Sequence, residues 1–291
     1  MNQVTEDSFE KGSMALLNRV PAVRLEDYLA LVKYLTDNWK SDSVWFRGVS
    51  NSDYSLIPSI YRDDAYSRWK YETEVANQLF DEFVLKARSF FLQVRQEYEP
   101  WEWYHLMQHY GLPTRLLDWT AGSLMGLYFA VRNIEDTVSP AVWVMDAFWL
   151  NSQSAGVETV FYSDVARQAP EDLIANQYIR DQDSLPKWPI AIFPPYIDER
   201  LRVQRSRFTV HGSQKDGFSN MYQQDESPRL ALIRVQPDSV ESIKDFLVAT
   251  GIGESTLFPD LEGLAREMKF EYGLYKLPNL GQVDAIQAGR P

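Results

Sequence analysis

The strongest constraint on this chain is Pro113, set in the run His109-Tyr110-Gly111-Leu112-Pro113-Thr114-Arg115-Leu116-Leu117-Asp118-Trp119-Thr120. Proline has no amide donor and pushes the residue before it out of helical geometry, so an incoming helix must stop at about His109. Beyond the break, Thr114 to Trp119 reads as extended, with Leu116 and Leu117 turned toward a core. Thr120 reads as the cap of a new helix, because its hydroxyl can accept from a first-turn amide. That helix, residues 121 to 130 onward, is apolar and rich in small residues, which allows close packing. The run therefore places one histidine, one arginine, one aspartate, two threonines and one tryptophan between two helices and a core. Polar groups in such a place are costly unless paired, and sites of this kind are often functional.

Composition narrows the classes of protein that can carry such a site. At 291 residues and 45% hydrophobic, the chain can bury a sizeable core. A net charge of −12 argues against a broad phosphate-tracking surface but leaves room for a local basic pocket. With no cysteine there is no disulfide, thiol nucleophile or thiolate metal site. The first twenty residues lack the apolar run of a signal peptide, and no later run reads as a membrane span. A soluble, cytoplasmic protein with no membrane partner is expected. A P-loop, a Gly-x-Gly-x-x-Gly fingerprint, a Gly-x-Ser-x-Gly elbow and an EF-hand loop are all missing, which lowers the weight of those enzyme classes.

Taken in order, residues 25 to 39 have the apolar spacing of an amphipathic helix. Residues 43 to 48 form a short strand that delivers Arg47 at its exit. An extended loop over 54 to 62 precedes a long helix from 71 to about 96. Pro100 interrupts it, and a second helix runs from 101 to 109. Residues 141 to 146 are the clearest buried strand. The stretch 151–189 is polar with weak periodicity and reads as an insertion with one helix around 170 to 177. A strand at 190–195 follows, then an arginine cluster around Gln204 and a Phe-Thr-Val strand. Residues 212 to 228 read as a mobile polar loop, 230 to 235 as a strand, and 237–250 and 257–270 as helices. The expected fold class is α+β, a mixed, mostly antiparallel small sheet flanked by helices. Residues 1–24 are expected to be loosely ordered and 273–291 an extended tail.

Several residues invite chemistry, each with a plainer alternative. Arg47, with Gly48 behind it allowing close backbone approach, can aim a planar fork at a phosphate or carboxylate; otherwise it forms an ion pair with one of 41 acids. His105 and His109 have the spacing of two metal ligands on one helix face. No glutamate completes a His-Glu-x-x-His pattern, so no metal is expected. His109 then serves as a partner for Asp118, for a ligand or for backbone at the helix end. Asp118 and Arg115 read as an internal pair holding the turn. On a strand, Arg200, Arg202 and Gln204 would share one face, with Arg205 and Arg207 on the other. Such a basic face suits an anionic ligand, unless it is simply solvated.

Together these residues resemble the FRG domain family, named for its Phe-Arg-Gly. The resemblance is carried by Trp45-Phe46-Arg47-Gly48, Leu56-Ile57-Pro58-Ser59 with Arg62, and the whole run His109 to Thr120. It continues through Leu127-Tyr128-Phe129-Ala130, Ala141-Val142-Trp143, Arg200 to Phe208 with Gln204, and Gly251-Ile252 to Leu261, which implies a domain over 25–272. More distantly, an arginine leaving an early strand, a strand ending in threonine before a helix ending Tyr-Phe-Ala, and a late strand with an acid or amide resemble ADP-ribosyltransferases. That likeness implies an ADP-ribosyltransferase-like core with NAD as substrate. Arg47 would then grip phosphate or ribose and Thr120 would support the nicotinamide pocket. Gln204 or Glu199 would lie near the scissile bond; Gln204 carries no charge, so Glu199 and Glu254 are the candidates for the missing carboxylate. The candidate catalytic set, from the residues and the likeness together, is Arg47, His109, Asp118 and Gln204, with Thr114, Arg115, Trp119, Thr120 and Arg200 as candidates for binding ligand. The acceptor would be nucleic acid or protein, in a toxin or phage-defence role. Two rival readings are a non-catalytic ligand- or partner-binding module framed by Arg47, Arg115 and Asp118, and a nucleotide hydrolase using His109 and Asp118.

Overall fold

A seven-stranded sheet runs through the molecule in the order β4-β5-β6-β2-β1-β3-β7, where β1 is Val44–Val49, β2 Leu116–Thr120, β3 Ala141–Asp146, β4 Phe161–Tyr162, β5 Ile190–Phe193, β6 Ser206–Val210 and β7 Leu230–Arg234. The structure, a computed structural model, describes residues 22–62, 73–90, 98–133, 139–163, 175, 177–179, 185–195, 197–225 and 227–274. Every pairing in the sheet is antiparallel except β4 with β5. The fold class is α+β as expected, with one strand more than the sequence suggests, because the two-residue β4 lies in the stretch read as an insertion. Of the segment expected to be loosely ordered, 1–24, and the tail expected over 273–291, residues 1–21 and 275–291 lie outside the described residues.

Ten helices flank the sheet among the described residues. In chain order they are α1 Leu25–Trp39, α2 Thr73–Phe90, α3 Pro100–His109, α4 Ser123–Val131, α5 Ala147–Ala155, α6 Glu199–Val203, α7 Gly217–Gln224, α8 Val240–Ala249, α9 Glu254–Leu257 and α10 Leu261–Glu271. None is long and apolar enough to cross a membrane. Pro100 begins α3, one residue before the expected start of that helix; its missing amide costs nothing there, and Glu99 and Glu102 close a capping box around it. The core has two large apolar clusters. Leu117 belongs to the cluster built on α1, α4, β3 and α8, while Leu116 belongs to the one built on α3, β5 and β6. Adjacent strand residues point to opposite faces, so the Leu-Leu pair anchors β2 into two cores rather than one.

Four expectations need correction. Thr120 ends β2 rather than capping α4, whose cap is Gly122. Arg200, Arg202 and Gln204 do not share a strand face, because 199–203 is the short helix α6 with Gln204 at its C-cap. The loop at 212–228 contains α7, which Phe218 and Met221 bury at helical spacing. The last helix, α10, starts at Leu261 rather than 257, with Asp260 accepting from the Gly263 amide, and a short helix, α9, precedes it. The long helix is described only as Thr73–Phe90, and the helix expected at 170–177 falls largely outside the described residues. The polar stretch after 150 begins inside α5, where buried Asn151 bonds Thr159 and Ala191 and so ties this helix to β5.

Candidate functional site

One cleft of about 470 Å³ opens where β1, β2, α3, α4, α6 and the turn at Phe258 meet. Strand β1 supplies Arg47. Phe46 and Gly48 lie on the other face of that strand, packed under α4, which turns Arg47 away from the helix. Gly48 allows close backbone approach, as expected, but what approaches is α4: a Cβ at 48 would lie 2.1 Å from the Gly126 carbonyl oxygen and 2.4 Å from the Ala130 nitrogen. Arg47 Nη1 donates to the Asp118 carbonyl at 2.6 Å and lies 3.8 Å from the Asp118 carboxylate. Burial lowers the guanidinium to about 10, Asp118 draws it back up, and neighbouring Arg62 pushes it further down. It is a cation at neutral pH, held in place by one strand beside it.

Strand β2 presents Asp118, Trp119 and Thr120 to the same cleft. Asp118 is 58% exposed and accepts from Gln108 Nε2 at 3.0 Å. Gln108 in turn accepts from Thr114 Oγ1 at 2.5 Å, so a threonine, a glutamine and the aspartate form one chain from core to cleft. Trp119 is buried and donates to Thr209 Oγ1 at 3.1 Å. Thr120 donates to the Gln204 carbonyl at 2.8 Å and accepts from the Gly122 amide, which fastens the end of β2 to the end of α6. Gln204 Nε2 donates to the Leu257 carbonyl at 2.9 Å, so the side chain is held by the backbone before Phe258.

Helix α3 contributes two histidines with separate fates. His109 Nδ1 sits 3.2 Å from Asp198 Oδ2, not against Asp118 or the helix end. Asp198 also caps α6 by accepting from the Leu201 amide at 2.8 Å. Burial would raise the Asp198 carboxyl; hydrogen bonds from His109 and Leu201, with the charges of His109 and Arg200, outweigh it and hold the group below its ordinary value. His105 is buried on Phe208, 4.6 Å between ring centres, and burial pushes it down to about 3. The two rings thus have different partners, Phe208 for His105 and Asp198 for His109.

Of the residues expected from the sequence, Arg47, His109, Asp118, Trp119, Thr120, Arg200 and Gln204 all line the cleft, and Thr114 and Arg115 do not. Thr114 is fully buried and supports the cleft through Gln108. Arg115 is also buried; it donates through Nη2 to the carbonyls of Tyr178 and Ile179 and receives no help from Asp118. The expected Arg115–Asp118 pair is thus replaced by two separate contacts, because three residues apart on an extended chain face opposite ways. Neither Glu199 nor Glu254 lines the cleft: Glu199 pairs with Arg202 on the surface, and Glu254 is buried between Arg132 and Arg266.

Gln108, Asp198, Arg132, Phe129 and Phe258 also build the site, though the sequence does not single them out as site residues. Only Asp198 carried a legible signal, an acid three residues before the Leu201 amide it caps, and that signal was hidden by reading 199 onward as a strand. In sum the described cleft wall holds four arginines, Arg47, Arg62, Arg132 and Arg200, against one carboxylate, Asp118, in a chain of net charge −12.

The family model of the FRG domain matches residues 42–138, which span β1, α2, α3, β2 and α4 and hold Arg47, His109, Asp118 and Thr120. Over that stretch the chain is similar to the FRG domain. No curated protein and no solved structure matches it.

Proposed function

We propose that the cleft binds a phosphorylated nucleotide, NAD in the first place, and breaks its ribose–nicotinamide bond. The observation that carries this reading is the meeting of Arg47, His109, Asp118, Arg200 and Gln204, from four separate elements, around one cleft. A pocket of this volume suits a nucleotide-sized ligand. Arg47 and Arg62 are placed for phosphate oxygens, for which a guanidinium fork is well matched. As the C1′–N bond breaks, its electron pair leaves with nicotinamide and positive charge grows on the ribose. Asp118, the one carboxylate on the described wall, stabilises that charge where Gln204 cannot. An acceptor oxygen or nitrogen then bonds C1′ and releases a proton. Transfer to nucleic acid or protein would make the chain a toxin or phage-defence effector; transfer to water would make it an NAD glycohydrolase. The test is nicotinamide release from NAD by the purified protein, with and without cell lysate, and its loss in Arg47→Ala. No release by the wild type sinks the catalytic reading, and binding without release leaves a non-catalytic nucleotide module.

A second reading is supported by the contact of His109 Nδ1 with Asp198 Oδ2 at 3.2 Å. A carboxylate on one ring nitrogen fixes the tautomer and leaves the other free to take a proton from water, which is the arrangement of a general base. In that case the cleft hydrolyses a nucleotide phosphate, with Asp198 rather than Asp118 as the partner of His109. Phosphate release from nucleoside triphosphates that survives His109→Ala, in a variant with an unchanged melting curve, would exclude it.

A further inference from the structure

Phe258 carries three guanidinium groups around one phenyl ring: Arg132 at 4.0 Å, Arg200 at 4.2 Å and Arg266 at 5.1 Å from the ring centre. Two of them are neutralised. Arg132 forks onto Glu254 through Nε and Nη2, and Arg266 bonds both Glu254 and Glu262. Arg200 is different. Its guanidinium makes no hydrogen bond or ion pair with any described residue, although Arg200 is half-buried and lines the cleft. Its nearest carboxylates are spent elsewhere, Asp198 on His109 and the start of α6, Asp260 on the start of α10. With one face of the guanidinium laid on Phe258, the N–H donors in its plane stay available to a ligand. A cation beside Arg132 and without a bonded anion is costly, and burial and Arg132 both lower its pKa, so an anionic ligand relieves it.

Arg47 already has a different anchorage, on the Asp118 carbonyl from the β1 side of the cleft. We propose that Arg200 is a second anion subsite, and that the nucleotide carries a phosphate monoester in addition to the phosphates held by Arg47. This rests on the nucleotide reading of the cleft and sharpens it to a class, dinucleotides with an extra phosphate on a ribose hydroxyl. A monoester phosphate is the group that an unspent fork best accommodates, since it offers several oxygens and up to two negative charges.

Calorimetric titration of the full chain with NAD and with NADP tests the inference. The wild type should bind NADP at least about tenfold more tightly than NAD, about 1.4 kcal/mol. Arg200→Gln should erase that advantage, weakening NADP binding about tenfold more than NAD binding. Equal affinity of the wild type for the two dinucleotides overturns the second subsite while leaving the nucleotide reading in place. Equal weakening of both by Arg200→Gln also overturns it, because Arg200 would then hold a group common to both. If neither dinucleotide binds, the nucleotide reading itself falls, and the inference with it.

Discussion

Gly48 and Gly126 face each other where α4 crosses β1, with no room for a side chain on either: a Cβ on Gly48 would lie 2.1 Å from the Gly126 carbonyl oxygen, and one on Gly126 would lie 2.7 Å from Phe46 Cβ. The clash at 48 is with helix backbone, which cannot turn aside as a side chain tip can. Gly48→Ala should therefore force α4 outward and cost about 3 kcal/mol, the upper range for overpacking. Urea unfolding measures it. A loss below about 0.5 kcal/mol would mean that α4 moves freely against the sheet. Because Phe129 and Arg132 on that side also line the cleft, ligand affinity should fall with stability.

Glu254 holds the C-terminal helices to α4. Its buried carboxylate accepts from Arg132, Arg266 and Tyr128. Burial would raise this carboxyl, but the two arginines outweigh it and keep it ionised below its ordinary value. Glu254→Gln leaves both guanidinium groups without their shared charge, and removing one partner of such a network costs about 3 kcal/mol. Hydrogen exchange should show faster opening of α9 and α10 with little change in β2 and β6. Uniform protection across all of these would show that the network is dispensable.

Acid should unfold the chain through two histidines. His105 and His211 are buried, each with an Nδ1 that bonds nothing among the described residues, and burial lowers both from 6.5 to about 3; the charge of Arg47 lowers His211 further. The unfolded chain takes up these protons first as pH drops. The stabilisation is complete above pH 6.5 and is lost progressively between 6.5 and about 3, by about 1.4 kcal/mol per pH unit for each histidine. Denaturant midpoints at pH 7.0, 6.0 and 5.0 should fall accordingly. His211→Gln should lower stability at pH 7 and flatten the slope. A slope unchanged by that substitution would assign the acid sensitivity to other groups.

The break at Pro113, the strand after it and the helix after that were legible because local chemistry dictates them: a missing amide, a Leu-Leu pair, a run of small residues. Partner choice was not legible. His109 has Asp118 nine residues away in the chain, yet pairs with Asp198, 89 residues away, because α6 folds back across the end of α3. Arg115 was read as the partner of Asp118 because they are neighbours in sequence, and it instead reaches the Tyr178 carbonyl. Arg47, Asp118, Arg200 and Gln204 line one cleft, and the sequence offered them only as separate candidates. Periodicity and spacing carry no information about which distant elements meet.

Asp118 separates frame from function in the run where the chain turns at Pro113. It is more than half exposed, its fold contacts are to Gln108 and Arg47, and the core below it is held by Leu116, Leu117 and Arg115. Asp118→Asn keeps the shape and the acceptor oxygen for Gln108, so stability should change by no more than about 0.5 kcal/mol. Arg115→Met, by contrast, removes a buried donor to two carbonyls and should destabilise by about 2 kcal/mol or more. If the cleft cleaves NAD, Asp118→Asn should lower nicotinamide release about 100-fold while ligand binding persists, because a neutral amide no longer stabilises charge on the ribose. Release at the wild-type rate would remove Asp118 from the chemistry. Loss of folding in Asp118→Asn would instead make this residue part of the frame, as Arg115 is.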